Sequence, residues 1–308
     1  MANQPTPDWL TNVENVQVML GLVNQPPDPL LPLLISEISA LMIESMNRSH
    51  ILVSSGVNPV TDFLSSTGDE MLVLRQWPVR QLLYTGTCVQ GSTSVSNVSS
   101  TQGLFVGQSV LGYYQSVGSL AAIQASTTIA SISGTTVTLS LPALSSGTFS
   151  LVFGVAVYAN EFGWWGATPT SFPGPPLQYG TDYALRVDQP NGLDSKSAML
   201  GRLNQYWWPR WRREIGGLAV YNAGGFGNIM AQYNCGYYTV PPDLEMACLR
   251  VIAKAKNSRQ YGMPVTSASY EDYSISFQAA KSSWLGLLDG EAGAVLARYR
   301  IMPVGTFE

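Results

Sequence analysis

Apolar residues recur every three to four positions near the start of this chain and every second position further on. Val16, Met19 and Leu20 line one side of a first segment. The Thr11-Asn-Val-Glu14 run ahead of them fits a capping box, and Gly21 a terminator. Asp28-Pro29 suits the entry to a second helix, whose stripe is Leu34, Ile35, Ile38, Leu41, Met42 and Met46. After Arg48 the pattern shortens to that of strands: Val60–Leu64, Met71–Leu74 and, past Trp77-Pro78-Val79, Gln81–Val89. Small hydroxyl residues then alternate with Val, Ile, Leu and Phe, punctuated by Gly91, Gly103, Gly107, Gly112, Gly134 and Gly147. That spacing predicts a small all-β module. Strands are also expected at Thr181–Asp188, Leu218–Tyr221 and Ile229–Tyr233, the last two joined across the hairpin loop that includes Gly224–Asn228. A helix opens at Pro241-Pro242-Asp243, with Leu244, Ala247, Cys248, Val251, Ile252 and Ala255 as its apolar stripe. Tyr270–Phe277 reads as extended and Asp289–Arg300 as a short last helix.

Charge sharpens this picture. The chain has 308 residues, of which 12% are charged, about half the usual share. No Asp, Glu, Lys, Arg or His occurs between Arg80 and Glu161. A flexible linker would not keep apolar residues in alternation over that length. Ser and Thr on a wet sheet face supply solubility without charge. The net charge of -4 argues against a mainly electrostatic nucleic-acid binder. The N-terminus lacks the basic and apolar regions of a secretory signal, and the Leu30–Met46 window is too short and too polar to span a bilayer.

The chemistry of an enzyme is not apparent. His50 is the single histidine, which excludes His-based zinc motifs and is read as structural. Cys88, Cys235 and Cys248 are read as small buried thiols. Asp69-Glu70 and Glu271-Asp272 are adjacent pairs, read as solvated. No nucleophile elbow, P-loop or dinucleotide fingerprint is present, so the reading is of a non-enzyme with no cofactor and no metal. Two basic groups stand out. Trp207, Trp208 and Trp211 interleave with Arg210, Arg212 and Arg213, a composition suited to a protein interface or to nucleic acid, and the acidic net charge favours the interface. Arg250 and Lys254 share one helical stripe that would meet solvent, a neighbour or phosphates.

Taken in order, several stretches resemble the head-to-tail adaptor (connector) family of tailed bacteriophages. They are LTNVENVQVMLGL, DPLLPLLISEISALMIESMNRS, LRQWPVRQLL, VYANEFGWWGATPTSF, LQYGTDYAL, QYNCGYYTVPPDLEMACLRVIAKAKNSRQ, SASYEDYSISF and LLDGEAGAVLARYRIM. The family pattern runs almost directly from PVRQLL into VYANEFGWW; here the uncharged stretch intervenes, similar to a small β module of phage structural and bacterial surface proteins.

The resemblance implies an α+β fold: a helical adaptor core with a small antiparallel sheet, at 1–85 and 154–308, plus an inserted all-β, sandwich-like module at 86–153. It implies a virion protein at the head–tail interface, in the host cytoplasm during assembly. Such a protein forms a ring, usually dodecameric, beneath the portal, extends the DNA channel and meets the next neck or tail-completion protein. By carry-over, portal contact is expected of Tyr270, Tyr273, Ile275, Phe277, Leu287, Leu288, Leu296, Tyr299, Arg300, Ile301 and Met302. Packing between subunits or along the channel is expected of the Trp/Arg group and of Arg250 and Lys254. The other reading is a decoration or adhesion protein whose module binds glycan or a host receptor, with Phe105, Tyr113 and Tyr114 available to stack.

Overall fold

The computed structural model describes residues 9–23, 25–26, 28–48, 50–52, 59–65, 69–112, 122–159, 176–188, 192–203, 207, 212–215, 218–221, 229–260, 267–270, 273–276 and 290–301. In chain order the first elements are α1 (Val13–Met19), α2 (Leu31–Ser45), β1 (Val60–Leu64), β2 (Met71–Val73), β3 (Val79–Arg80) and β4 (Leu82–Cys88). There follow β5 (Ser94–Ser96), β6 (Val110–Gly112), β7 (Ile129–Ser133), β8 (Thr136–Leu139), β9 (Gly147–Phe153) and β10 (Ala156–Ala159). Then come β11 (Tyr183–Leu185), β12 (Asp194–Ser195), β13 (Met199–Arg202), β14 (Arg212–Ile215), β15 (Leu218–Tyr221) and β16 (Ile229–Cys235). The chain ends with α3 (Pro242–Gln260), β17 (Ser267–Tyr270), β18 (Tyr273–Ser276) and α4 (Glu291–Tyr299).

This is a mostly β protein, which corrects the expectation of a helical core with a small sheet. Three antiparallel sheets of six, five and three strands account for most of the described elements, against four helices. The expectation failed because strands that read singly along the chain, such as β1, β2 and β11, join into wide sheets, a pairing that periodicity does not reveal, while β3 and β12 are only two residues long. Contacts divide the chain into two compact units, Met1–Ser54 with Tyr237–Glu308, and Ser55–Gly236.

The first unit holds all four helices around one apolar core. Leu31, Leu34, Ile35, Ile38 and Met42 from α2 meet Leu244, Cys248, Val251 and Ile252 from α3, with Ala292 and Leu296 from α4. Full burial of each Leu or Ile side chain contributes about 1.5–3 kcal/mol. The cap of α1 differs from the expected box. Asn12 is the N-cap, its side chain accepting from the Asn15 backbone N–H at 2.7 Å. The Thr11 hydroxyl is used elsewhere, donating to Glu245 of α3 at 3.1 Å. Helix α2 begins at Leu31, with the Asp28 carboxylate accepting from the Leu30 N–H at 3.0 Å. The chain beyond α4 is tied back to α2: Ile301 N–H donates to the Met46 carbonyl at 2.9 Å and Arg48 Nε to the Tyr299 carbonyl at 2.6 Å.

In the second unit β16 is the spine of the five-stranded sheet. It pairs with β1 from Val60↔Tyr233 to Leu64↔Ile229, with β10 from Ala156↔Gln232 to Ala159↔Ile229, and with β3 at Asn234↔Arg80 and Cys235↔Val79. Every β16 residue except Gln232 is buried. The three-stranded sheet, in order β11-β13-β2, shares its core through Leu72, Tyr183, Leu185 and Leu200. Among the described strands β15 pairs with β14, and β16 with β1, β3 and β10, rather than with each other; the expected hairpin loop at Gly224–Asn228 lies outside the described residues.

The uncharged stretch builds the six-stranded sheet, in order β6-β9-β4-β5-β8-β7. Its ends meet through the Ser109↔Thr128 bridge and hydrogen bonds from Val110 N–H to the Thr127 carbonyl and from Ile129 N–H to the Gln108 carbonyl, each 2.9 Å. The sheet is thus closed into a barrel rather than the expected sandwich. Val95, Val110, Ile129, Val137, Leu139, Leu151 and Phe153 fill it.

A buried polar knot joins β1 to β16. The Tyr233 hydroxyl donates to the Asp62 carboxylate at 2.6 Å and accepts from the Gln76 N–H at 2.9 Å. Asp62 also accepts from the Arg75 N–H at 2.8 Å. Burial first, and Asp62 second, push the Tyr233 phenol far above its ordinary range. Tyr233→Phe removes a donor from a buried carboxylate and an acceptor from a backbone N–H. The expected loss is about 1–3 kcal/mol of unfolding free energy, read by urea denaturation; an unchanged midpoint would show that the knot carries no stability.

Candidate functional site

The side chains that could carry chemistry are scattered among the described residues. Cys88, Cys235 and Cys248 are buried thiols that lie in three different cores. His50 is buried. Asp69 and Glu70 are exposed, while Glu271 and Asp272 lie outside the described residues. Among the described residues no three His, Cys, Asp or Glu side chains are placed to hold a metal ion. No described helix is long and apolar enough to cross a membrane.

The residues singled out from the sequence are dispersed. Trp207 is a core residue, 2% exposed, with Nε1 donating to the Leu200 carbonyl at 3.3 Å and Arg202 lying 5.6 Å from its ring. Arg212 and Arg213 stand on β14, and Trp208, Arg210 and Trp211 lie outside the described residues. Leu296 and Ile301 are buried in the helical unit, and the Tyr299 hydroxyl donates to Asp243 at 2.5 Å. Arg300 is exposed. Tyr270, Tyr273 and Ile275 belong to the β17–β18 hairpin; Phe277, Leu287, Leu288 and Met302 lie outside the described residues.

Helix α3 does carry the expected outward stripe, running through Met246, Arg250 and Lys254, all exposed. Its charge is partly neutralised, since Arg250 forms an ion pair with Glu291 of α4. Further along the helix, Lys256 lies 3.4 Å from Asp28. Both pairs are partly or largely solvated and add little stability.

The surface that sequence reasoning missed is apolar. Val18, Met19, Val23, Leu30 and Leu33 are 44–64% exposed, all within the α1–α2 hairpin. Single exposed apolar residues are ordinary, but five within sixteen sequence positions make this hairpin rich in exposed apolar area. Met19 was assigned to the buried side of α1, yet that helix fully buries only Val16. A signal was available at Leu33, which falls on the same helical line as Glu37 and Glu44 and away from the Leu34–Ile38–Met42 stripe.

The barrel presents a different surface. Its outer face sets Thr85 beside Ser150, Thr87 between Thr148 and Ser96, and Thr138 between Ser94 and Ser131. The Thr87 and Thr148 hydroxyls are 3.2 Å apart. Phe105 is half-buried on a barrel loop, and Tyr113 and Tyr114 lie outside the described residues.

Comparison of the chain with protein-family models finds no match, and comparison with curated proteins finds none either.

Cys248 gives the helical core a pH signature. Burial pushes its thiol up to about 12 from the ordinary 9.0. Between those values the unfolded chain loses a proton that the folded chain keeps. The unfolded state then binds fewer protons, and stability falls as pH rises. Below pH 9 the thiol is protonated in both states and contributes no slope. In denaturation between pH 9 and 12, Cys248→Ala is expected to show a shallower decline, by up to roughly 1.4 kcal/mol per pH unit. Parallel declines for both proteins would mean that the thiol is not buried as described.

Proposed function

We propose that this chain is a structural protein of a tailed-phage neck, assembling as a ring beneath the portal and joining head to tail. The observation that carries the reading is how the resembling stretches group. LTNVENVQVMLGL and DPLLPLLISEISALMIESMNRS come from one end of the chain, VPPDLEMACLRVIAKAKNSRQ and DGEAGAVLARYR from the other, and all four contribute helices to one apolar core. Sequence ends brought together in this way are what a common ancestral unit with a large central segment would leave.

The partners in this reading are further copies of the chain, the portal protein, the next neck or tail component and, without sequence preference, DNA in the channel. The role is one of assembly and involves no catalysis. The exposed apolar area of the α1–α2 hairpin supplies the surface that a ring subunit would cover, since assembly interfaces draw on apolar area at their centres. The partly neutralised Arg250 fits packing against a neighbour better than holding a phosphate.

The test is to mix the purified chain with the portal of the same phage and weigh the products by native mass spectrometry. A portal-bound ring whose copy number follows the portal symmetry is expected. A monomer that ignores the portal would overturn the reading in favour of an outer-surface role.

Leu33→Asp probes this apolar area separately. At 62% exposure Leu33 can take a charge without disturbing the fold. Ring formation is expected to weaken by at least about tenfold, ~1.4 kcal/mol, with the melting temperature unchanged. Full ring formation by this variant would remove Leu33 from the interface.

A further inference from the structure

The barrel leaves and re-enters its unit almost without a linker. One residue, Gln81, separates β3 from β4, and Gly154 with Val155 separates β9 from β10. All three are buried. The Gln81 N–H donates to the Leu193 carbonyl at 3.2 Å, and the Gly154 N–H to the Ser109 carbonyl at 2.9 Å. A third strand of evidence for attachment is the barrel loop at 101–109, which reaches the five-stranded sheet far in sequence from either crossing.

That loop is held by side chains, each matched to one backbone group. Asn234 of β16 donates from Nδ2 to the Gly103 carbonyl at 2.9 Å. Gln108, fully buried, donates to the Gly154 carbonyl at 2.9 Å. Ser109 donates to the Val155 carbonyl at 3.0 Å, and Tyr183 from β11 donates to that same carbonyl at 2.6 Å. Gly107 has a φ of +86°, and a Cβ there would sit 1.9 Å from the Tyr158 hydroxyl of β10. These bonds are directional and dehydrated, so any rotation of the barrel would break several together and leave buried polar groups unpaired.

We infer that the uncharged barrel is a fixed arm of its unit, and that the loop at 101–109 is the bolt which sets its direction. Asn234, Gln108 and Tyr183 are positioning residues in this scheme, and Gly107 is the place where a side chain would force the Tyr158 ring aside and strain a left-handed backbone. The inference stands on the second unit alone and does not depend on the neck reading. For any role of the barrel it has one consequence: the hydroxyl face is held at a constant angle to the rest of its unit.

The test is a distance measurement in the full chain. Nitroxide labels at Thr85→Cys on the barrel and Val73→Cys on β2 use exposed positions, whereas the native cysteines are buried. Double electron–electron resonance is expected to give a single narrow distance distribution. In Gly107→Ala, where Tyr158 must shift and the backbone is strained, that narrow peak is expected to be lost. Asn234→Ala, a milder change that removes one hydrogen bond, should broaden it and serves if the glycine variant fails to fold. A broad distribution in the labelled parent would overturn the fixed arm. A narrow one retained in a folded variant would overturn the role of the loop as the bolt.

Discussion

The pairing of β4 with β9 is the constraint on which the second unit depends. Seven residues of each strand are in register, from Leu82↔Phe153 to Cys88↔Gly147. This brings the two ends of a segment of more than sixty residues within one strand spacing of each other, about 4.8 Å. The chain can then continue as β3 on one side and β10 on the other, both paired with β16. A one-residue slip would turn Leu151 and Phe153 out of the barrel and carry β10 out of register with β16. Barrel and five-stranded sheet therefore share a single register decision.

The absence of charge in this region follows from its topology. Charged side chains, lysine above all, commonly guard the open edges of a sheet against pairing with other chains. Here β6 and β7, the outermost strands of the path, meet through Ser109 and Thr128. Closure removes the edge that charge would have to protect. What the outer face still needs is water solubility, and Ser and Thr supply it while retaining good strand propensity. Eighty residues without a charge are thus compatible with a closed barrel in a way that they would not be with an open sheet of the same strands.

The sequence was legible where patterns were long. α2 and α3 show their buried stripes directly, with Leu34, Ile35, Ile38 and Met42 in one and Leu244, Cys248 and Ile252 in the other. β4, β8 and β9 were visible as alternating runs. Pairing was not legible. Nothing in Ile229–Cys235 announces three strand partners, although its near-continuous burial is the expected mark of a central strand. Barrel closure was hidden for the same reason, since an alternating run around Ser109 or Thr128 does not say which strand it meets. Trp207 was misleading by composition: beside so many arginines it resembles an interface residue, and only its 2% exposure and its bond to Leu200 place it in a core.

The candidate surface was harder to read than the fold because it breaks the rule used to find the core. Periodicity assigns an apolar residue to the inside, and that inference is sound for Ile38 or Met42. It fails for Val18, Met19 and Leu33, which share the chemistry of core residues and differ only in angle around the helix. A 15-residue helix such as α2 has room for an apolar stripe and for one apolar residue off it, and the stripe dominates any average over the whole helix. Charge stands at Glu37 and Glu44 on the same line of the helix, and Leu33 interrupts it. An apolar side chain kept there costs solubility and adds nothing to the core already filled by Leu34 and Ile38. Covering such side chains would remove their apolar area from water, and that is the physical interest of the α1–α2 hairpin as a surface.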